Sequence, residues 1–303
     1  MSVCTFRSID YGAPVLKGEF GCLFDVLNTC LVTGYAANGG AGWTNPYFDT
    51  QDNNVLKSGL PGNGFCLRIA DQYTDHANFG VIAGFSSMTG LNAGEDCTPT
   101  VLQSLYGVGV CKSFTVGSAI RDWLVIANQR FFYLFICGSN TADFSTTEGY
   151  CFGEFDSFKS ADAFNCIITG REPTNFSVGS DYSYFATSGS TISFINNHWL
   201  MRSYTQIGTA VPCGQHYDIS KALLPFPNPV DGNLYLSPVF ITEPNMNCVR
   251  GKFPGLWAIC HNKSYFNHGD TFTGNGVLTG KTFMVVRVYG NVFALETSDT
   301  WDD

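Results

Sequence analysis

The sequence predicts a mostly β protein, built as one or more antiparallel sheet sandwiches with a single amphipathic helix near the N-terminus. Three observations carry this. Apolar residues recur as short runs bounded by Gly, Pro, Asn and Asp, the pattern of strands and turns. Composition agrees: of 303 residues, 45% are hydrophobic and 15% aromatic, with 26 Phe and 14 Tyr whose rings suit pleated surfaces, and 33 Gly to supply turns. Only one stretch keeps a helical period.

That stretch runs from Gly18 to Thr33. Phe20, Leu23, Phe24, Leu27, Cys30 and Leu31 fall on one stripe, with Pro14 upstream, Glu19 in the first turn and Gly34 after the end. The stripe is expected to lie against a sheet. Gly39-Gly40-Ala41-Gly42 reads as a loop, and Phe65 to Asp71 alternates as a half-buried strand. Trp123 to Ala127 and Phe131 to Ile136, joined by Asn128-Gln129-Arg130, read as a hairpin. Further strands are expected at Phe164 to Ile168, Thr191 to Ile195, Leu234 to Ile241, Thr282 to Val288 and Val292 to Leu295. Pro238 marks an edge or a bulge, and Pro225, Pro227 and Pro229 mark an irregular connector. No solenoid repeat occurs. The chain reads as one β-rich domain, 1–303, in one lobe or two with a soft boundary near 170–190.

The net charge is −9, with 16 Lys and Arg that never cluster, which argues against nucleic acid as a partner. The longest apolar run, Phe131 to Cys137, is too short to span a bilayer, so no membrane role is expected. Met1-Ser2-Val3-Cys4 does not open a secretory signal, and synthesis and assembly in the cytoplasm are expected. The 12 cysteines form no CxxC pair, which disfavours zinc. Two readings stand: small buried hydrophobes, or disulfides formed after release from a reducing cell.

Tests for chemistry return little. Gly59-Leu60-Pro61-Gly62-Asn63-Gly64 precedes a strand, so it reads as a turn and not as a phosphate cradle. His76, His198, His216, His261 and His268 form neither HxH nor HExxH, and Cys260 and His261 are adjacent, hence on opposite faces of a strand. No GxSxG phrase occurs. Glu154 and Asp156 are spaced to share one face of a strand, the one carboxylate pair suited to glycoside cleavage. Asp49, Asp52, Asn53 and Asn54 offer oxygens for Ca²⁺ at a spacing unlike an EF-hand. No catalytic, metal or cofactor site is assigned. Trp43, Tyr47, Phe48, Trp257 and Trp301 lie near turns and are the candidates for protein docking or sugar stacking.

Several phrases together resemble a family of tailed-bacteriophage virion structural proteins. Tyr11-Gly12-Ala13-Pro14-Val15-Leu16-Lys17-Gly18-Glu19-Phe20-Gly21 leads into Val26-Leu27-Asn28-Thr29-Cys30-Leu31-Val32-Thr33-Gly34-Tyr35, and Ala41-Gly42-Trp43-Thr44 follows, as in that family's GAPxLxG and CLVxGY opening. Leu67 to Asp71 is similar to its LRVDD strand, with Ala70 in place of an acid, and Trp123 to Phe135 to its WxVxADxxxFYLF strands, with Asn128 in place of an acid. Phe152-Gly153-Glu154-Phe155 resembles FGDF, Arg250 to Leu256 resembles RGxxPGL, and Thr297 to Trp301 matches TSDTW. Arg171 to Phe226 matches least. The resemblance implies a non-enzymatic particle component in the virion and leaves its position open between neck or collar, tail, baseplate and head surface, with the first three favoured over the head surface. It implies other virion proteins as partners and, with them, a homo-oligomer. The alternative is a glycan-binding or glycan-cleaving module of the host-attachment apparatus.

Overall fold

The computed structural model describes residues 2–49, 53–71, 77–100, 107–137, 147–170, 198–216, 224–243, 247–288, 291–298 and 301. In chain order the first part gives β1 (Cys4–Arg7), β2 (Leu16–Gly18), helix α1 (Cys22–Asn28), β3 (Thr44–Phe48), β4 (Asn53–Lys57), β5 (Cys66–Ala70), β6 (Phe79–Phe85), β7 (Ser87–Gly90), β8 (Ala93–Glu95), β9 (Val108–Cys111) and β10 (Gly117–Arg121). Next come β11 (Trp123–Ala127), β12 (Phe131–Cys137), β13 (Thr147–Glu154), β14 (Asp156–Ser157), β15 (Cys166–Thr169), β16 (His198–Arg202) and β17 (Thr209–Pro212). The last part holds β18 (Gly214–His216), β19 (Leu236–Glu243), β20 (Cys248–Ile259), β21 (Thr271–Thr273), β22 (Thr282–Val288) and β23 (Asn291–Glu296).

These strands build three antiparallel layers. The middle sheet runs β1-β11-β12-β13-β15-β16-β17. The N-terminal sheet, β3-β4-β5-β6-β9, lies with α1 on one side of it, and the C-terminal sheet, β18-β19-β20-β23-β22-β21 with β14 beside β20, lies on the other. The period-2 alternation of strands sorts the middle sheet's side chains between two cores. Trp123, Val125, Phe132, Leu134 and Phe152 pack with Leu67, Ile69, Ile82 and the helix. Their neighbours Leu124, Ile126, Phe131, Tyr133 and Phe135 pack with Val239, Ile241, Leu256 and Val286. A strand covered on both faces cannot alternate apolar with polar, which is why Phe131 to Cys137 reads as an unbroken apolar run. The expected hairpin is present, in the register Ala127↔Phe132 to Trp123↔Ile136.

The helix starts later than its periodicity suggests. Leu16–Gly18 is instead a strand paired with β10, and Gly21, at φ 80°, makes the left-handed entry to Cys22. Phe20 therefore stands outside the helix and is exposed, whereas Leu23, Phe24, Leu27, Cys30 and Leu31 are buried as expected. The last turn, Thr29–Thr33, widens to π geometry, closed by the Gly34 N–H on the Thr29 carbonyl at 2.7 Å. Gly34 admits no side chain, because a Cβ there would stand 2.2 Å from the Asn38 carbonyl oxygen.

Pro238 falls where the pairing of β19 with β20 shifts register, as a bulge requires. Thr191 to Ile195 and the proposed 170–190 boundary lie outside the described residues, apart from Gly170. On either side of that boundary β15 and β16 pair in the same sheet, Ile168 opposite Trp199.

Candidate functional site

The buried titratable groups act as ties between layers. Asp71 ends the β5 segment, and its carboxylate accepts from the Leu23 and Phe24 N–H groups at 2.8 and 3.2 Å, capping α1 from a distant part of the chain. Lys112 neutralises it and also donates to the Glu19 carbonyl. Burial pushes the Asp71 carboxyl up, against the pull of Lys112 and of those two N–H groups. A second cluster ties β20 to the 157–164 and 203–208 turns. Arg250, fully buried, lies 2.7 Å from Asp162 and 3.9 Å from Glu243, between the rings of Phe155 and Tyr204. Its Nε and Nη1 and the Glu243 Oε1 make no hydrogen bond among the described residues. Burial raises the Glu243 carboxyl, which the Tyr204 N–H and Arg250 pull back only in part.

Glu154 and Asp156 go to separate tasks. Glu154 is buried and accepts the Asn63 N–H, so the glycine-rich turn does cradle an anion, but it is the protein's own carboxylate. Gly62 permits this approach, since a Cβ would come 2.4 Å from Glu154 Oε1. Asp156 sits 4.0 Å from Lys252 across the β14–β20 pairing. The two acids thus have different partners. Asn53 and Asn54 are consecutive in β4 and so point to opposite faces, and Asp52 lies outside the described residues. Among the described residues no group of three acidic, His or Cys side chains is placed to hold a metal.

His76 lies outside the described residues. His261 is buried, accepts the Tyr235 N–H at Nε2 and contacts the Pro225 carbonyl through Nδ1, both at about 2.9 Å or less, so it pins the proline connector to β20. His268 accepts the Arg287 N–H at 3.2 Å, and burial together with Arg287 and Arg7 lowers it to about 4. It lines a pocket of about 280 Å³ with Arg7, Ser8, Asp122, Trp123 and Met284, where Ser8 donates to Asp122. Seven of the twelve cysteines are buried, Cys30, Cys66, Cys111, Cys137, Cys151, Cys166 and Cys213, and the rest are half-buried. Burial raises the thiols of Cys151, Cys166 and Cys213, which disfavours the reactive thiolate at each.

The docking aromatics need correction. Trp43 is 3% exposed and Trp301 2%, so neither presents a ring to a partner. The Trp43 indole donates to the Asn128 carbonyl in the β11–β12 turn and packs edge-on to Phe132. The Trp301 indole donates to the Glu296 carbonyl and fills a notch that Gly255 leaves open. A buried indole with a satisfied N–H is a stable core member, and nearness to a turn in sequence does not show this. Tyr47 is half-buried, its hydroxyl on the Met88 carbonyl. Phe48, at 59%, is exposed beside Phe24. Trp257 is half-buried on the outer face of the C-terminal sheet.

The exposed apolar surface lies elsewhere. Around the β2–β10 pairing, Tyr11, Val15, Phe20, Val116 and Ile120 are each exposed, as is Ile9 upstream. Periodicity missed this belt because β2 and β10 meet only through long-range pairing. Among the described residues no helix is long and apolar enough to cross a membrane. In comparisons with known proteins, no family model matches the chain, and no curated protein sequence matches it.

Proposed function

We propose that this chain is a non-enzymatic structural component of a tailed-phage particle, which docks on other virion proteins through the β2–β10 ribbon. The observation that carries the reading is the placement of Tyr11, Val15 and Phe20. All three belong to the opening phrase that resembles the virion family, and all three are exposed, where folding has no use for them. Val116 and Ile120, on or beside the strand that pairs with β2, are exposed as well. Apolar belts of this kind on a rigid sheet scaffold suit protein contacts.

The remaining phrases of the resemblance support a common scaffold. Pro254 and Gly255 of the RGxxPGL-like phrase meet Tyr133 and Trp301, with the Tyr133 hydroxyl on the Pro254 carbonyl at 2.8 Å. Asn128, where the family carries an acid, accepts the Arg130 and Phe131 N–H groups, a task that an acid performs equally well.

The test is mass spectrometry of intact, purified phage particles, with copy number from the same run. Fixed multiple copies per particle are expected, and incorporation is expected to be lost in Phe20→Ser/Ile120→Ser, a pair of exposed changes that leaves the cores intact. Absence of the chain from particles, or full incorporation of the double variant, would overturn the proposal.

A further inference from the structure

The C-terminal sheet carries a second feature, on its outer face and away from the β2–β10 ribbon. A pocket of about 300 Å³ opens between residues 233–236 and the loop 272–278, the lower end of the size range of small-ligand sites. Its apolar lining includes Trp257 and Phe272, both set against Phe283: Trp257 edge-on at 6.5 Å and Phe272 stacked at 5.2 Å. Its polar lining is Asn233, Asn275 and Thr273, and Asn275 donates its amide to Asn233 across the pocket at 3.4 Å. Among the described residues no charged side chain lines it.

Both walls are fixed by the fold. On one side the Tyr235 N–H donates to His261 and the Tyr235 carbonyl accepts the Cys260 N–H at 3.0 Å. On the other, the Gly274 N–H donates to Lys281 and the Leu278 N–H to Asn275, closing a short 3₁₀ turn over Gly276–Leu278. Gly276, at φ 59°, makes the bend that presents this turn. A site with walls tied in this way loses little freedom when it is filled.

We infer that this pocket is a binding site for an uncharged saccharide. A pyranose ring has one apolar C–H face and an equator of hydroxyls. Trp257 and Phe272 offer the surface for the first, while the carboxamides of Asn233 and Asn275 and the Thr273 hydroxyl offer donors and acceptors for the second. The absence of a cation from the lining, in a chain of net charge −9, disfavours phosphate, sulfate and carboxylate ligands. A purely apolar ligand would leave the donors and acceptors of Asn233 and Asn275 beyond their mutual bond unanswered. The inference assigns binding only, since no carboxylate pair lines the pocket.

The experiment is a glycan array carrying neutral and acidic glycans, probed with the full chain, followed by titration of the neutral saccharides retained, read by intrinsic tryptophan fluorescence. Neutral glycans are expected to bind and acidic ones not. Trp257→Ala is expected to weaken binding by about tenfold or more, the scale of losing a central aromatic contact. Asn275→Ala, in an exposed loop, is expected to weaken it with the thermal melt unchanged, which keeps the test decisive if Trp257→Ala fails to fold. Trp257→Phe should recover part of the affinity. The inference is overturned if no neutral saccharide binds at millimolar concentration, if only acidic glycans are retained, or if Asn275→Ala and Trp257→Phe both bind as the parent does.

Discussion

The Asp71–Lys112 pair and the Arg250–Asp162–Glu243 cluster are both buried, and both join distant parts of the chain, yet they are built to different standards. Asp71 has three donors around its carboxylate, and Lys112 has two acceptors. Arg250 faces two carboxylates with its guanidinium out of hydrogen-bond alignment, and Glu243 leaves one oxygen without a bond among the described residues. The difference teaches that burying charge is not by itself a stabilising device. What counts is whether each desolvated group recovers its hydrogen bonds, and an incompletely bonded cluster costs about as much as it returns.

Substitutions can break or sharpen this contrast. The largest effect is expected from Lys112→Met, which leaves Asp71 buried without its counter-charge and should cost about 3–5 kcal/mol in urea unfolding. A loss below about 1 kcal/mol would remove the distinction between the two sites. Arg250→Met should cost less, about 2 kcal/mol, because Asp162 keeps the Ser157 hydroxyl and Gln206 amide as donors and Glu243 keeps the Tyr204 N–H. Adding Glu243→Gln to Arg250→Met should recover about 1 kcal/mol of that, since the second stranded charge is removed. The same pair of changes made at Asp71 and Lys112 would recover little, because the α1 N–H groups would lose their cap.

The smallest expected effect is in pH dependence. A carboxyl raised in the folded state binds protons more tightly there than in the unfolded chain. Its contribution is complete below the ordinary glutamate value and is lost as pH rises through the raised folded value. Parent stability should therefore sag across that window towards neutral pH, and Glu243→Gln alone should flatten the sag. Denaturation midpoints followed from below the ordinary glutamate value up to neutral pH would show it. Identical profiles for parent and variant would mean that Glu243 stays charged in the fold.

Local signals made the central hairpin legible. Two apolar runs around Asn128-Gln129-Arg130 require a turn, and Asn128 supplies it by accepting the Arg130 and Phe131 N–H groups. The same holds for β22 and for the buried stripe from Leu23 to Leu31. Features made by long-range pairing were not legible. The helical stretch was read from Gly18, but Gly18 belongs to a strand that joins β10 a hundred residues on, and the helix waits for Gly21. Trp301 looks like an exposed tail residue until Gly255 is seen to open its notch. For the saccharide pocket, Trp257 was visible as a candidate, but Asn233, Phe272 and Asn275 come together only once the connector is pinned by His261. Cys30, Cys66, Cys111, Cys137, Cys151, Cys166 and Cys213 are buried, as their apolar neighbours in the sequence lead one to expect.

The middle sheet, buried on both faces, also bears on how the chain reaches its fold. Trp123 to Cys137 is a hairpin with no face that tolerates water, and its covers are made from segments on both sides of it in the chain. During synthesis the N-terminal layer can close over one face, while the other waits for strands from Leu236 onward. In that interval an apolar, charge-poor, β-favouring surface stands open, the kind of segment that nucleates aggregates. Chains halted before the C-terminal sheet should therefore collect in the insoluble fraction, and the complete chain should express best at low temperature or with a chaperone that shields strands.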